Sequence, residues 1–360
     1  MLDFERAKRV FQALKNAGID KMAVSDPSSV NYLLGKYIRP GERMMVLLLS
    51  SQDERVTFLL SRLYPQEEDP GCPIIYFDDT DDYVGMLAEK IGEGETVGVD
   101  KEWQAKFLLS LMQKRPDLKI VNGSPVFDGI RQVKDAKEQE FMREASRLND
   151  QAMARLIPLV RSGYTEKELG EELLKIYLSL GADGFSFEPI CCYGANAADP
   201  HHENDDTKGK AGDSVILDIG CRKDGYCSDM TRTVFLGAVS EEQRKVYEIV
   251  KEANLRAIAA VKPGVRFCDI DAAARDHIAS FGYGDYFVHR TGHNIGQDVH
   301  EYGDVSSANE NTVKPGMCFS IEPGIYLAGR FGVRIEDLVL VTETGCEVLN
   351  SYPKELTVTE

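Results

Sequence analysis

Over the first third of the chain the apolar positions follow two alternating periods. Phe4, Ala7, Val10, Phe11 and Leu14 fall on one helical face, and Gly18 supplies the stop. Short apolar runs at 44–49, 56–60, 74–77 and 97–99 then read as strands, followed by a helix over 103–113 and a last strand at 119–121. Strands alternating with helices predict a small α/β domain over residues 1–125, ending in the polar turn at 122–125.

From Asp135 the pattern changes. Long charged helices are predicted over 136–160 and 166–180, the second opened by Thr165 as N-cap with Glu168 three residues on. Two more follow at 241–261 and 269–281, with strand-like stretches at 214–219, 231–236, 317–321 and 333–341. Helices gathered around a mainly antiparallel sheet predict an α+β domain over 131–360, not a doubly wound one. Lys262-Pro263-Gly264 and Lys314-Pro315-Gly316, each after a valine, are the one trace of an internal two-fold repeat.

Composition narrows the function. With 360 residues, 43% hydrophobic and 28% charged, the chain reads as a soluble two-domain protein. No stretch approaches the roughly 20 apolar residues of a membrane helix. Charges at Asp3, Glu5, Arg6, Lys8 and Arg9 occupy the place of a secretory signal's apolar run, so a cytoplasmic location is expected. A formal charge of −17 repels phosphate backbones, which argues against nucleic-acid partners. Eight cysteines at irregular spacing, with no CxxC pair, read as mostly buried free thiols in a reducing compartment.

The chemistry begins with six histidines, His201, His202, His277, His289, His293 and His300. Five lie in two segments rich in Gly, Asn and Asp; only His277 falls in a predicted helix. Alongside them, four acids interrupt or end apolar runs: Asp218 after Val215-Ile216-Leu217, Asp229 before Met230-Thr231-Arg232, Glu322 after Phe319-Ser320-Ile321, and Glu336 after Val333-Arg334-Ile335. An ionised carboxylate in such surroundings is costly to bury unless a cation or donor meets it. Taken with His293, the four predict a shared metal site, since hard oxygen ligands and one imidazole suit manganese, cobalt, iron or zinc. Two ions can share bridging carboxylates, and four carboxylates balance two divalent charges. Asp218 and Asp229 are expected to face each other across a hairpin turned at Asp224-Gly225. Arg334 and Glu336, two apart on one strand, would share a face.

LDIG at 217–220, SDMTRT at 228–233, HRTGHNIG at 289–296, IEPGIY at 321–326 and VRIED at 333–337 follow one another as they do in the pita-bread metallopeptidases. Within that group the chain most resembles the aminopeptidase P and prolidase branch. DPSSVNYLLG at 26–35 resembles the creatinase-like N-terminal domain. The resemblance implies metal ligands at Asp218, Asp229, His293, Glu322 and Glu336 for two divalent ions, manganese first, with Asp229 and Glu336 bridging. It places His201 on the proline side of the pocket, His289 and His300 at the scissile region, and Arg334 and Tyr326 in support near the metals. His202 is read either as a neighbour backing the site or as a structural residue, and Asn294 stands where such sequences usually carry glycine.

The activity implied is cleavage of the Xaa-Pro bond of dipeptides or short peptides by a homodimer. A metal-bridging hydroxide would attack, one metal and His289 would stabilise the oxyanion, and Glu322 would shuttle the proton. Two alternatives remain: an Xaa-Pro aminopeptidase acting on longer peptides, or a non-peptidase member of the same fold, which would be expected to lack several ligands.

Overall fold

Helix Phe4–Ala17 begins where Asp3 accepts hydrogen bonds from the backbone N–H groups of Glu5 and Arg6, and it ends at Gly18 in the left-handed region. It belongs to the first of two compact units, Met1–Arg131 and Gln132–Glu360, in a computed structural model that describes residues 1–359.

The first unit is built on a six-stranded sheet. Its order is Ile74–Phe77, Arg55–Ser61, Met45–Ser50, Lys21–Val24, Thr96–Val99 and Lys119–Asn122. Met45–Ser50 runs antiparallel to both neighbours and the other pairings are parallel. Two helices extend the sequence reading. DPSSVNYLLG forms helix Pro27–Leu34, capped by Asp26 with Pro27 in its first turn. The stretch read as a polar exit continues into helix Ser124–Arg131, which buries Val126 and Phe127 in the first unit's core. There Arg131 pairs with Asp26 at 3.0 Å, so the unit runs on to Arg131.

In the second unit, helices Ala136–Leu156, Glu166–Leu180, Glu241–Ala260 and Phe267–Ser280 accompany sheets whose strands pair almost entirely antiparallel. Each of the first three opens with a capping box: Asp135 with Glu138, Thr165 with Glu168, and Ser240 with Gln243. One sheet orders Thr357–Thr359, Met230–Leu236, Ser214–Ile219 and Ile190–Tyr193; another orders Glu301–Val305, Gly292–Asn294, Cys318–Ile321, Asp337–Val341 and Cys346–Val348. This is the α+β, pita-bread arrangement expected for the catalytic half, joined to a smaller creatinase-like α/β unit.

The single strand predicted over 333–341 is in fact two. Phe331–Arg334 pairs with Gly324–Leu327 in a two-stranded ribbon, while Asp337–Val341 belongs to the five-stranded sheet. At the break, the Glu336 N–H donates to the Thr231 carbonyl at 3.1 Å, and Arg232 donates to the Glu336 carbonyl at 2.6 Å. Arg334 and Glu336 therefore do not share one strand face; cross-sheet hydrogen bonds set their positions. Both Lys-Pro-Gly segments are turns with glycine at positive φ, 86° at Gly264 and 85° at Gly316. All eight cysteines are free thiols, five of them buried.

Candidate active site

The floor of the site starts from the pairing of Ser214–Ile219 with Met230–Leu236. Asp218 stands opposite Thr231, so Asp229, two residues before Thr231, lies on the same face as a diagonal neighbour of Asp218 and not directly across from it. Between them the chain makes a smaller hairpin, Cys221–Lys223 against Tyr226–Cys227. Asp224 and Gly225 form its turn with φ of 50° and 81°, the two positive values of a type I′ turn.

His293 and Glu322 come from facing strands brought unusually close. A Cβ at Gly292 would collide with the Ser320 carbonyl, so glycine at 292 is what lets the two backbones meet. The His293 N–H donates to Ser320 Oγ at 3.0 Å, Ser320 Oγ donates to Glu322 Oε1 at 3.2 Å, and the Glu322 N–H donates to the Thr291 carbonyl at 2.7 Å. His293 Nδ1 lies 3.2 Å from the Asn294 carbonyl, which puts the ring proton there and leaves the Nε2 lone pair free. That Nε2 is 3.5 Å from Glu322 and 3.6 Å from Asp229. Ligand atoms of Asp229, His293 and Glu336 all lie within 4.8 Å of one another.

The electrostatics of this cluster are unfavourable as they stand. Burial, reinforced by Glu336, Asp218 and Glu322, raises the Asp229 carboxyl well above the usual carboxylate range. Burial and the charges of Glu322 and Asp218 do the same to Glu336. Burial pushes Glu322 up to about 7 against the pull of Arg334. Burial also lowers His293 to about 3, so its imidazole is neutral. One oxygen each of Asp218 and Asp229 is buried without a hydrogen-bond partner. Carboxyl oxygens without a hydrogen-bond partner, beside a neutral imidazole with a free lone pair, are a donor set that fits divalent cations.

A relay of side chains backs the cluster. The buried Arg334 donates to Asp218 at 2.6 Å, to Thr231 at 3.1 Å and to the Tyr326 hydroxyl at 2.8 Å. Tyr326 in turn lies 2.8 Å from His289 Nε2, and His289 Nδ1 lies 2.7 Å from the Arg290 carbonyl. A carbonyl only accepts, so Nδ1 carries the proton and Nε2 accepts from Tyr326. Both nitrogens of His289 are thus engaged, and burial lowers its pKa to about 4. The role expected for it, donation to an oxyanion, is not available in this geometry.

The carboxylates, His293, His289 and Arg334 line one cavity of about 560 Å³, as do the exposed His201 and His300. The His300 ring stands edge-on to His293, centroids 4.2 Å apart. Tyr326 lies behind His289 and Arg334. His202 is outside this cavity: it bonds Glu166 at 2.7 Å and lines an adjoining cavity of about 690 Å³ that shares Ile190 and His201 with the first. Glu166, His202 and Cys192 also come within ligand distance of one another. The Glu166 carboxylate, however, already accepts from the Tyr193 and Asp205 N–H groups and from Asn196 and His202, which marks a structural hub. Asn294 is fully buried with neither amide atom of its side chain hydrogen-bonded.

Three features escape the sequence reading. Phe187, Ile190, Pro200 and Val299 give the cavity an apolar wall, Arg290 adds a guanidinium, and Glu166 holds the loop that carries His201. Adjacency of Pro200 to His201 was the one available signal for the wall; the others depend on tertiary contacts.

Residues 140–343 match the model of metallopeptidase family M24, and residues 6–133 match that of the creatinase/prolidase N-terminal domain. An uncharacterized peptidase of Staphylococcus aureus (strain MSSA476) is 34% identical over 97% of this chain and 99% of its own. Among solved structures, a recombinant prolidase from Thermococcus sibiricus superposes with a TM-score of 0.95 at 36% identity, covering 99% of this chain and 100% of that one. A dipeptidase from Pyrococcus horikoshii OT3 gives 0.92 at 35%, covering 98% and 99%. No helix among the described residues is long and apolar enough to cross a membrane.

Proposed function

We propose that this chain, which belongs to metallopeptidase family M24, hydrolyses the bond before proline in Xaa-Pro dipeptides. The observation that carries the reading is the cluster of Asp218, Asp229, His293, Glu322 and Glu336 in one cavity, with two buried carboxylate oxygens lacking any donor. These five residues would hold two divalent cations, manganese first among those that such ligands accept. Cations bound there supply Lewis-acid polarisation of the scissile carbonyl and a water acidic enough to ionise near neutral pH.

The chain's own groups provide the rest. Proline's nitrogen has no hydrogen in the peptide, so the ring and not an N–H must be recognised, and the nitrogen must be protonated to leave. Phe187, Ile190 and Pro200 form the wall for the ring, with His201 beside them. Glu322 is the proton carrier: its side chain is 16% exposed, against 12% for Asp218 and 5% for Asp229. Arg334 and Tyr326 fix Asp218 and His289. His300, which lines the cavity, is the imidazole that hydrogen-bonds the scissile region in place of the engaged His289.

Support for a dipeptide comes from the prolidase and dipeptidase that the chain resembles across nearly its whole length. The adjoining cavity beyond His201 favours a second reading, an Xaa-Pro aminopeptidase with room for residues past the proline. A homodimer working in the cytoplasm belongs to the same proposal. Comparing hydrolysis of Ala-Pro, Ala-Pro-Ala and Ala-Ala tests it: cleavage of Ala-Pro alone is expected, cleavage of the tripeptide as well shifts the reading to the aminopeptidase, and a preference for Ala-Ala contradicts both.

A further inference from the structure

We propose that Glu301 is a positioning residue: paired with the buried Lys134, it closes the loop 295–300 from within and holds His300 against His293 at the cavity wall. The inference rests on the Xaa-Pro reading above, in which His300 hydrogen-bonds the scissile region, and adds the device that keeps it there. The loop leaves strand Gly292–Asn294 and returns in strand Glu301–Val305, with Asn294 and Glu301 opposite each other at its mouth. Val299 and His300 line the cavity, and the His300 ring meets His293 edge-on with centroids 4.2 Å apart. His300 itself is exposed, so its place depends on the backbone that carries it.

That backbone is held by a charge. Glu301 Oε1 accepts from the Gln297 N–H at 3.0 Å and from the Asp298 N–H at 3.5 Å, while Oε2 accepts from Lys134 Nζ at 2.9 Å. Glycine at 296 makes room for this, since a Cβ there would fall 2.6 Å from Glu301 Oε1. The Lys134 and Glu301 side chains are only 1% and 7% exposed, and the Lys134 N–H is itself tied to the Gly316 carbonyl at 2.8 Å. A buried ion pair gains little net stability over apolar residues of the same volume, because desolvation offsets the attraction. What it supplies here is one geometry: the loop's N–H groups need an acceptor inside the loop, and the carboxylate needs a cation where Lys134 stands. An amide at 301 would keep the shape but accept more weakly and leave the Lys134 ammonium without its counter-charge.

The test is a double-mutant cycle. Values of kcat and KM for Ala-Pro are measured in the manganese-loaded wild type, Glu301→Gln, His300→Ala and the two combined, with bound metal counted in each. Glu301→Gln is expected to lower kcat/KM by about ten- to a hundredfold, chiefly through kcat, at unchanged metal content. In the His300→Ala background the same change should cost less than about threefold, because the imidazole it positions is gone. Hydrogen exchange of the metal-free protein gives a readout independent of turnover. Amides of residues 295–300 should exchange at least about tenfold faster in Glu301→Gln than in the wild type. Lys134→Met combined with Glu301→Gln removes both charges together, guards against a variant unfolded by an unpaired ammonium, and should behave as Glu301→Gln does. Wild-type kcat/KM in Glu301→Gln or in His300→Ala, equal losses with and without His300, or unaltered exchange overturns the positioning role and leaves the Xaa-Pro reading intact. A wild type inactive on Ala-Pro overturns that reading, and the role falls with it.

Discussion

Arg334 donates to Asp218 across 2.6 Å at the floor of the cavity, joining strands that lie 116 residues apart in the chain. Both partners are buried, and Asp218 still has a second oxygen with no donor. The Arg334 guanidinium is the buried counter-charge of a site dominated by carboxylates, with the exposed Arg290 at the cavity wall.

Removing that charge should therefore cost stability as well as activity. Arg334→Met leaves Asp218 buried and unpaired, and a loss of about 3–5 kcal/mol is expected in the metal-free protein. Denaturant melts of the stripped protein check this, and added manganese should restore part of the loss in the variant.

The acids give a pH signature of definite sign. Glu322 is pushed up to about 7, and Asp229 and Glu336 are raised well above their usual range, so the metal-free native state binds more protons than the unfolded chain. Each contribution is full below the unfolded carboxylate values near ~4; that of Glu322 is lost as pH rises through about 7, and those of Asp229 and Glu336 also decline with rising pH. The melting temperature of stripped protein should fall across that window, less so in Glu322→Gln, and saturating manganese should flatten the slope.

Metal content separates ligation from general disorder. Asp229→Asn replaces a carboxylate whose Oδ1 has no other partner with a neutral amide. Changes to groups that merely orient ligands cost 10–100-fold in affinity, so loss of this one should exceed about a hundredfold. Elemental analysis after dialysis is expected to show fewer than two ions per chain, with the far-ultraviolet spectrum unchanged.

The loop bearing His201 offers a test away from the metals. Glu166 accepts four hydrogen bonds from residues 193–205, and Glu166→Gln would set an amide N–H₂ against one pair of those donors. A buried donor left unpaired costs about 1–3 kcal/mol. The expected result is a raised KM for Ala-Pro with metal content unchanged; an unchanged KM would separate the hub from substrate binding.

Much of this was legible along the chain because the signals are local. Thr165 with Glu168, Asp224 with Gly225, and acids set into apolar runs each carry their meaning within a few residues. The break at Ile335-Glu336 was not, since residues 331–341 are all buried and read as one run whether they serve one sheet or two. Only Thr231 and Arg232, about a hundred residues earlier, impose the break. Likewise, His289 looked available to an oxyanion because Tyr326, which engages its Nε2, lies 37 residues away. Helix Ser124–Arg131 was hidden by its own opening, where Ser124-Pro125 reads equally well as a turn or as a helix first turn.

The most direct measurement is hydrolysis of Ala-Pro by protein stripped of metal and then titrated with manganese while bound ions are counted. Activity absent in the stripped protein, returning with manganese and saturating at two ions per chain, is the predicted result. Full activity without metal, or none with two ions bound, would contradict the assignment of this cluster as a two-cation Xaa-Pro hydrolase.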